Sequence, residues 1–125
     1  MLAGAQGAVS DASHVVAAVY PMRNIEDSPV GYSMDPQEQL LAERQMRQRR
    51  HYLLGIYHSH TASDAYPSSV DTSLAISPEL SYALVSLKDH AHPILKSYRI
   101  RESQQVDQEQ VAIEGYPPAG DIAIA

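Results

Sequence analysis

Apolar residues fall in short runs along the chain, and these runs predict a protein built largely on β-strands. Runs that are rich in β-branched and aromatic residues and bounded by turn residues are typical of strands. Such runs predict strands at residues 14–20, 52–58, 82–87, 94–100 and 106–113. The first four residues, Met1 to Gly4, are also apolar and are predicted to be the end of one more strand.

Two helices are predicted between these strands. Asp35 followed by Pro36 marks the start of the first, because Asp is a favoured N-cap residue and Pro is well tolerated in the first helical turn. This helix is predicted to end near Arg50, and Ser68 is expected to cap a second, short helix that ends near residue 76. This order of strands and helices predicts an α/β protein with a mixed central sheet flanked by helices.

Length and composition suit a single globular domain. The chain has 125 residues, of which 44% are hydrophobic and 19% charged, and this excludes a disordered protein. We expect the domain to cover residues 1–113 and a loose tail to follow over residues 114–125. No apolar run reaches the roughly 20 residues that cross a bilayer, which predicts a cytoplasmic protein without a membrane partner. The net charge of −6 argues against nucleic acid as a partner.

A cluster of metal-ligating residue types follows the most apolar strand. His58 and His60 stand two residues apart near the end of that strand, so both side chains should project to the same side. Asp71 lies in the first turn of the second predicted helix, which can bring its carboxylate back to the strand end. The chain has no cysteine, and two histidines with one carboxylate leave a fourth position open, which is typical of catalytic zinc.

Two neighbouring features leave alternatives open. Ser68 lies three residues before Asp71, so its hydroxyl can serve the site, act as a plain helix N-cap, or do both. A second His-x-His pair, His90 and His92, lies between two predicted strands and is followed by Pro93. We interpret this second pair as a loop feature, because no carboxylate follows it at a matching helical position.

The spacing of the first cluster is that of a known family. The order His-Ser-His, seven residues, Ser, two residues, Asp resembles the motif of the JAMM (JAB/MPN) zinc metalloproteases, and every position is filled. Further similar stretches lie on both sides of the motif, so that the resemblance covers roughly residues 1–113. The string YHSHTASDAYPSSVD is most similar to the small, Mec-like bacterial branch, which includes a mycobacterial protease.

The resemblance implies a fold, a cofactor and an activity. The family fold is a central sheet flanked by helices, related to the cytidine deaminases. His58, His60 and Asp71 would hold a zinc ion, and Ser68 would position the water and stabilise the oxyanion. The Mec-like branch acts on small ubiquitin-like sulfur-carrier proteins, so the expected reaction is hydrolysis of an amide bond after the carrier's C-terminal glycine.

The resemblance also implies a general base that the sequence does not contain. In the family a glutamate lies just ahead of the strand whose end matches Met1 to Gly4, so we expect it upstream of Met1, together with the first helix. Glu26, Glu38 and Glu43 do not fill this position in the motif. We therefore expect the 125-residue chain to be an impaired catalyst, and to form a homodimer through exposed sheet surface near Leu2.

Other functions remain as alternatives. A non-catalytic MPN-fold interaction module would keep the metal site without the base. A zinc deaminase would need a Pro-Cys-x-x-Cys segment, which a chain without cysteine lacks.

Two further surfaces have open interpretations. Tyr57 and Tyr66 flank the motif and can shape a substrate groove. Four arginines can stabilise the end of the first helix or form a docking patch for an acidic carrier, namely Arg44, Arg47, Arg49 and Arg50.

Overall fold

A computed structural model describes residues 1–5, 15–24, 33–75, 77–113 and 122–123. The described strands are β1 (Leu2–Ala5), β2 (Ala18–Val19), β3 (His51–His60), β4 (Ser81–Ser86), β5 (Ile94–Ile100), β6 (Val106–Glu109) and β7 (Ile122–Ala123). The described helices are α1 (Pro36–Gln48) and α2 (Ser69–Leu74). The strands follow the order β2-β1-β3-β4-β5-β6 in the sheet, and β7 pairs with β5.

The sheet is mixed. Strand β1 is antiparallel to both β2 and β3, and β5 is antiparallel to β4, β6 and β7. The Leu87 amide, just after β4, donates to the carbonyl oxygen of His60 at the end of β3, at 2.8 Å. The two strands therefore end side by side and run in the same direction, and α2 lies in the crossover between them. This arrangement confirms the predicted mixed α/β fold.

The chain divides into two compact units, and Met1–Gly55 form the first. Helix α1 begins where the sequence predicts, because the Asp35 side chain accepts a hydrogen bond from the Gln37 amide at 2.9 Å. It ends at Gln48, slightly before the predicted Arg50, whose φ of 55° is left-handed and cannot continue a helix. The core of this unit is made by Met1, Ala3, Tyr20, Ala42 and Met46.

Strand β2 is shorter than the run of residues 14–20 that predicted it. Only Ala18 and Val19 have strand geometry, and residue 14 lies outside the described part of the chain. Val19 pairs with Leu2 of β1 and is 52% exposed. Val15 and Val16, which precede β2, are also exposed, so apolar side chains face solvent beside the end of β1.

The second unit covers residues 56–125 and contains the C-terminal half of β3 with all the later elements. Its buried cluster consists of Ala65, Leu84 and Tyr98, with Val106 packed against it. Strand β6 ends at Glu109, four residues before the predicted end at 113. Much of the predicted loose tail lies outside the described residues, but Ile122–Ala123 pair with β5. Neither described helix is long and apolar enough to span a membrane.

Candidate metal centre

The two histidines of the motif lie side by side at the C-terminal end of β3. As the alternation of a strand requires, His58 and His60 project to the same side, and their ring centroids are 5.1 Å apart. Their side chains are 17% and 12% exposed. Because β3 is buried from Leu54 to Ile56 and then emerges, it delivers two imidazoles to the rim of the sheet.

Asp71 meets both histidines. Its Oδ1 lies 3.0 Å from His58 Nε2, and its Oδ2 lies 3.0 Å from His60 Nε2. The carboxylate is oriented by a capping box at the start of α2: the Ser68 amide donates to Asp71 Oδ2 at 2.8 Å, and the Asp71 amide donates to Ser68 Oγ at 3.1 Å. The helix end and the two histidines therefore share one buried carboxylate.

The environment of Asp71 keeps it ionised. Burial by itself raises the pKa of this carboxyl, but hydrogen bonding to His58 and to the Ser68 backbone amide outweighs that effect and holds the pKa well below its usual range. A buried carboxylate without a cation carries a large desolvation cost. An ionised Asp71 that is only 6% exposed is therefore suited to a positively charged partner.

The other ring nitrogen of His60 defines its tautomer. His60 Nδ1 lies 2.9 Å from the carbonyl oxygen of Asp64. Since a carbonyl oxygen can only accept, Nδ1 carries the hydrogen, and in the neutral ring Nε2 then presents a lone pair. That lone pair faces the carboxylate of Asp71 at 3.0 Å. Two acceptors at this distance require a proton or a shared cation between them.

These three residues fit a zinc ion. Among the described residues, His58, His60 and Asp71 each offer one possible ligand atom, and these three atoms lie within 4.8 Å of one another. Tetrahedral zinc with bonds near 2.0–2.2 Å separates its ligand atoms by about 3.3–3.6 Å, so some of these atoms must move closer together to share one ion. Nitrogen and carboxylate ligands suit zinc, and three protein ligands leave a position open for chemistry.

Ser68 lies beside the site as the N-cap residue of α2. Its Oγ accepts from the Asp71 amide, and the hydroxyl hydrogen is not used in that bond. The N-cap interpretation is therefore confirmed, and the interpretation that the hydroxyl also serves the reaction stays open. Ser68 is exposed, so an approaching molecule can reach its hydroxyl.

The remaining candidates lie in other surroundings. His92 Nδ1 contacts the carboxylate of Asp89 at 3.0 Å on an exposed turn, in agreement with the loop interpretation of the second histidine pair. Glu38 accepts a hydrogen bond from the Arg23 amide, and Glu43 accepts one from Gln39. Glu26 lies outside the described residues.

Sequence reasoning missed the residues that hold the loop between the histidines and α2. The hydroxyl of Tyr98 donates to the carbonyl oxygen of Ala65 at 2.5 Å, and Ser86 Oγ donates to that of Ser63 at 2.6 Å. The ring of Tyr66, which is 58% exposed, packs edge to face on Tyr98 with centroids 5.5 Å apart. Nothing in the local pattern of either strand marks these contacts, because they join residues distant in sequence.

Comparison with known proteins identifies the class. Residues 1–101 match the family described as prokaryotic homologs of the JAB domain. The match covers most of the chain and includes the whole motif, so the chain belongs to the prokaryotic JAB (JAMM) family. This result confirms the resemblance drawn from the sequence.

Named relatives make the class more specific. The chain is 39% identical over 116 residues to the CysO-cysteine peptidases of Mycobacterium tuberculosis and Mycobacterium bovis, covering 93% of this chain and 76% of theirs. It is 36% identical over 78 residues to the desampylase of Haloferax volcanii, covering 62% of this chain and 55% of the relative. The names of these relatives identify the chain as a hydrolase of the peptidase or isopeptidase class.

Solved structures agree with the fold. The solution structure of protein DSY2949 from Desulfitobacterium hafniense is 41% identical and superposes with a TM-score of 0.74, covering 86% of this chain and 71% of that one. A protein from Salinibacter ruber, 23% identical with a TM-score of 0.64, covers 94% of this chain and 78% of that one and shares the fold.

Proposed function

We propose that this protein is a zinc-dependent metallopeptidase or isopeptidase. Its substrate would be a small ubiquitin-like sulfur-carrier protein, and the bond hydrolysed would be the amide after the carrier's C-terminal glycine. The observation that carries the proposal is the meeting of His58, His60 and Asp71 at one point, with the ligand atoms already close together. The names of the mycobacterial and archaeal relatives support the substrate class.

In this proposal the side chains hold the metal and the substrate in fixed positions. His58, His60 and Asp71 would bind zinc, which supplies Lewis acidity toward water and a substrate carbonyl when it is bound. The capping box holds Asp71 in place before any ligand arrives. Ser68 would donate its hydroxyl hydrogen to the carbonyl oxygen of the scissile bond, where negative charge develops.

Two further parts of the proposal concern the assembly and its location. The predicted homodimer through the surface near Leu2 is supported by the exposed side chain of Val19, which pairs with Leu2 across β1 and β2. The cytoplasmic location predicted from the sequence stays a prediction. The alternative of a non-catalytic module is not favoured, because the named relatives are a peptidase and a desampylase and this chain retains the three metal-ligating positions of the motif.

The metal assignment is tested by zinc content. We expect one zinc per chain in the unaltered protein and almost none in a His58→Ala variant. The chain offers a matched control in its other His-x-His pair, since His90→Ala removes an exposed imidazole outside the cluster. Elemental analysis after dialysis measures all three proteins. Full zinc content in His58→Ala would show that this residue is not a ligand.

The substrate assignment is tested by trimming. Ubiquitin-like carrier proteins with C-terminal extensions are incubated with the zinc-loaded protein and followed by mass spectrometry. We expect a product that ends at the carrier's terminal glycine, formed slowly because no glutamate of this sequence fills the family's general-base position. We expect no product with His58→Ala or after metal chelation. If the zinc-loaded protein trims a generic unfolded peptide but no carrier, it is a peptidase and the proposed substrate class is wrong.

A further inference from the structure

The loop between β3 and α2 is tied to the sheet by its backbone. Three successive carbonyl oxygens of this metal-site loop (residues 61–67) each accept a side-chain hydrogen bond. Ser63 accepts from Ser86 Oγ at 2.6 Å, and Ala65 accepts from the Tyr98 hydroxyl at 2.5 Å. Between them, the carbonyl oxygen of Asp64 accepts from His60 Nδ1 at 2.9 Å. The loop thus carries the contact that selects the His60 tautomer.

The two outer donors are rigid anchors. Ser86 is 5% exposed in β4 and Tyr98 is 2% exposed in β5, so neither side chain can move without disturbing the core. The Tyr98 ring also supports the ring of Tyr66 within the loop. Hydrogen bonds from buried hydroxyls to a loop carbonyl are costly to leave unmade, since the donor cannot turn to water.

We propose that Tyr98 and Ser86 are positioning residues of the metal centre. They fix the peptide groups before and after the one that carries the Asp64 carbonyl oxygen. That oxygen therefore stays within reach of His60 Nδ1. His60 is thereby held with its hydrogen on Nδ1, which leaves Nε2, the atom that faces Asp71, as the position for a metal. This role rests on the proposed metal site, although its effect on the Nδ1 hydrogen bond exists without any metal.

The physical link runs through the Asp64 peptide. When either anchor is lost, the peptides next to Asp64 gain rotational freedom, and its carbonyl oxygen no longer holds the Nδ1 hydrogen. The neutral imidazole can then place its hydrogen on Nε2, and a protonated nitrogen cannot bind a metal. Loss of an outer-shell hydrogen bond to a metal-ligating histidine typically lowers metal affinity about 10- to 100-fold.

The test uses two variants with matched controls. Tyr98→Phe and Ser86→Ala each remove one anchoring hydroxyl. Tyr82→Phe removes the hydroxyl of a buried tyrosine on β4, the strand that pairs with β5. This hydroxyl donates to the carbonyl oxygen of Ser77. Ser97→Ala removes a buried hydroxyl that donates to Glu109 at 2.6 Å, the same length as the Ser86 bond. All four should lose some unfolding free energy, so stability alone does not separate them.

Three measurements separate a positioning role from a structural one. Nitrogen-15 NMR of the metal-free protein should show a hydrogen-bonded, exchange-protected hydrogen on His60 Nδ1 in the unaltered chain and both controls, and loss of that protection in the two anchor variants. Cobalt and zinc affinities, measured by chelator competition, should fall about 10-fold in the anchor variants only. The visible absorption of bound cobalt should change in the same two proteins.

The outcomes are distinct. An unchanged Nδ1 hydrogen bond and unchanged affinity in both anchor variants would overturn the proposal, as would equal losses in the controls. If the unaltered protein shows the protected Nδ1 hydrogen but binds neither cobalt nor zinc, the proposed metal site fails while the effect of the anchors on His60 is still measured by NMR.

Discussion

Asp71 is the residue on which the site depends, because residues of two structural elements hold it. Its carboxylate closes the capping box of α2 through Ser68 and faces Nε2 of both His58 and His60. A side chain with one role could rotate away, but this one is held from the helix side and from the strand side. Its low pKa follows from the same contacts, so the carboxylate is both charged and oriented.

For a single residue of the site, we predict that Ser68→Ala greatly lowers the rate of hydrolysis. Loss of a single donor to a developing oxyanion typically lowers kcat about 10²- to 10³-fold. The same change also removes a helix cap, which costs roughly 1 kcal/mol of stability. Ser68→Thr keeps both the cap and the hydroxyl, and should retain most of the activity. Equal kcat values for Ser68→Ala and the unaltered protein would show that the serine acts only as a cap.

At the scale of elements, strand ends and helix caps determine where the functional groups lie. Helix α1 begins after Asp35 and α2 begins after Ser68, both with side-chain caps that the sequence pattern predicted. The edge of the sheet is held by polar contacts as well. Strand β6 is fastened to β5 by Glu109, which accepts from Ser97 Oγ at 2.6 Å and from Arg99 Nε at 2.8 Å.

This pairing predicts how stability depends on pH. Burial raises the pKa of Glu109, but hydrogen bonds from Ser81, Ser97 and Arg99 outweigh it and lower the pKa below its ordinary value. The group therefore stabilises the fold above its unfolded pKa of about 4.3. That contribution is lost as the pH falls through the lower, folded value.

The measurement compares denaturant unfolding of the unaltered protein and Glu109→Gln across pH. The difference in unfolding free energy between them should be largest near neutral pH and should shrink as the pH falls below about 4. Glu102→Gln, which changes an exposed glutamate in the turn between β5 and β6, serves as the control. A difference that stays constant from pH 7 to pH 3 would contradict the charge-based role.

At the scale of the molecule, the direction of the strands assembles the site. Because β3 and β4 are parallel, a crossover must connect them, and α2 in that crossover returns Asp71 to the end of β3. Strand β5 then provides the tyrosine that anchors the loop. An antiparallel connection of the same strands would place the start of α2 at a different edge.

Exposed apolar residues at β2 predict self-association of the whole molecule. Val19 is 52% exposed and lies opposite Leu2, and the preceding Val15 is 69% exposed. Apolar residues on a terminal strand favour edge pairing between molecules, and a lysine there opposes it. Sedimentation should therefore show a concentration-dependent dimer that Val19→Lys converts to monomer without loss of bound zinc.

The control for this prediction lies on another element. Leu40→Lys changes a residue of α1 that is 59% exposed and should leave the dimer intact. If the unaltered protein sediments as a monomer at all concentrations, the surface near Leu2 is not a dimer interface.

Local features were predictable from the sequence because short-range geometry produces them. The alternation of β3 places His58 and His60 on one side, and the three-residue spacing from Ser68 to Asp71 produces the capping box. The ends of β2 and β6 were placed wrongly, because an apolar run shows that a strand is favoured and not how far a neighbour pairs with it. Pairing depends on the partner strand.

The tertiary structure alone decided how the site is held. Ser86 reaches the carbonyl oxygen of a residue 23 positions away, and Tyr98 reaches one 33 positions away. These contacts exist because strand order brings β4 and β5 beside the end of β3, and no periodicity along the chain encodes strand order. The sequence by itself therefore determined which side chains make up the metal-ligating motif. The packing of distant strands decided where the loop beside His60 is anchored and the orientation in which those side chains meet, since both depend on neighbours that only folding supplies.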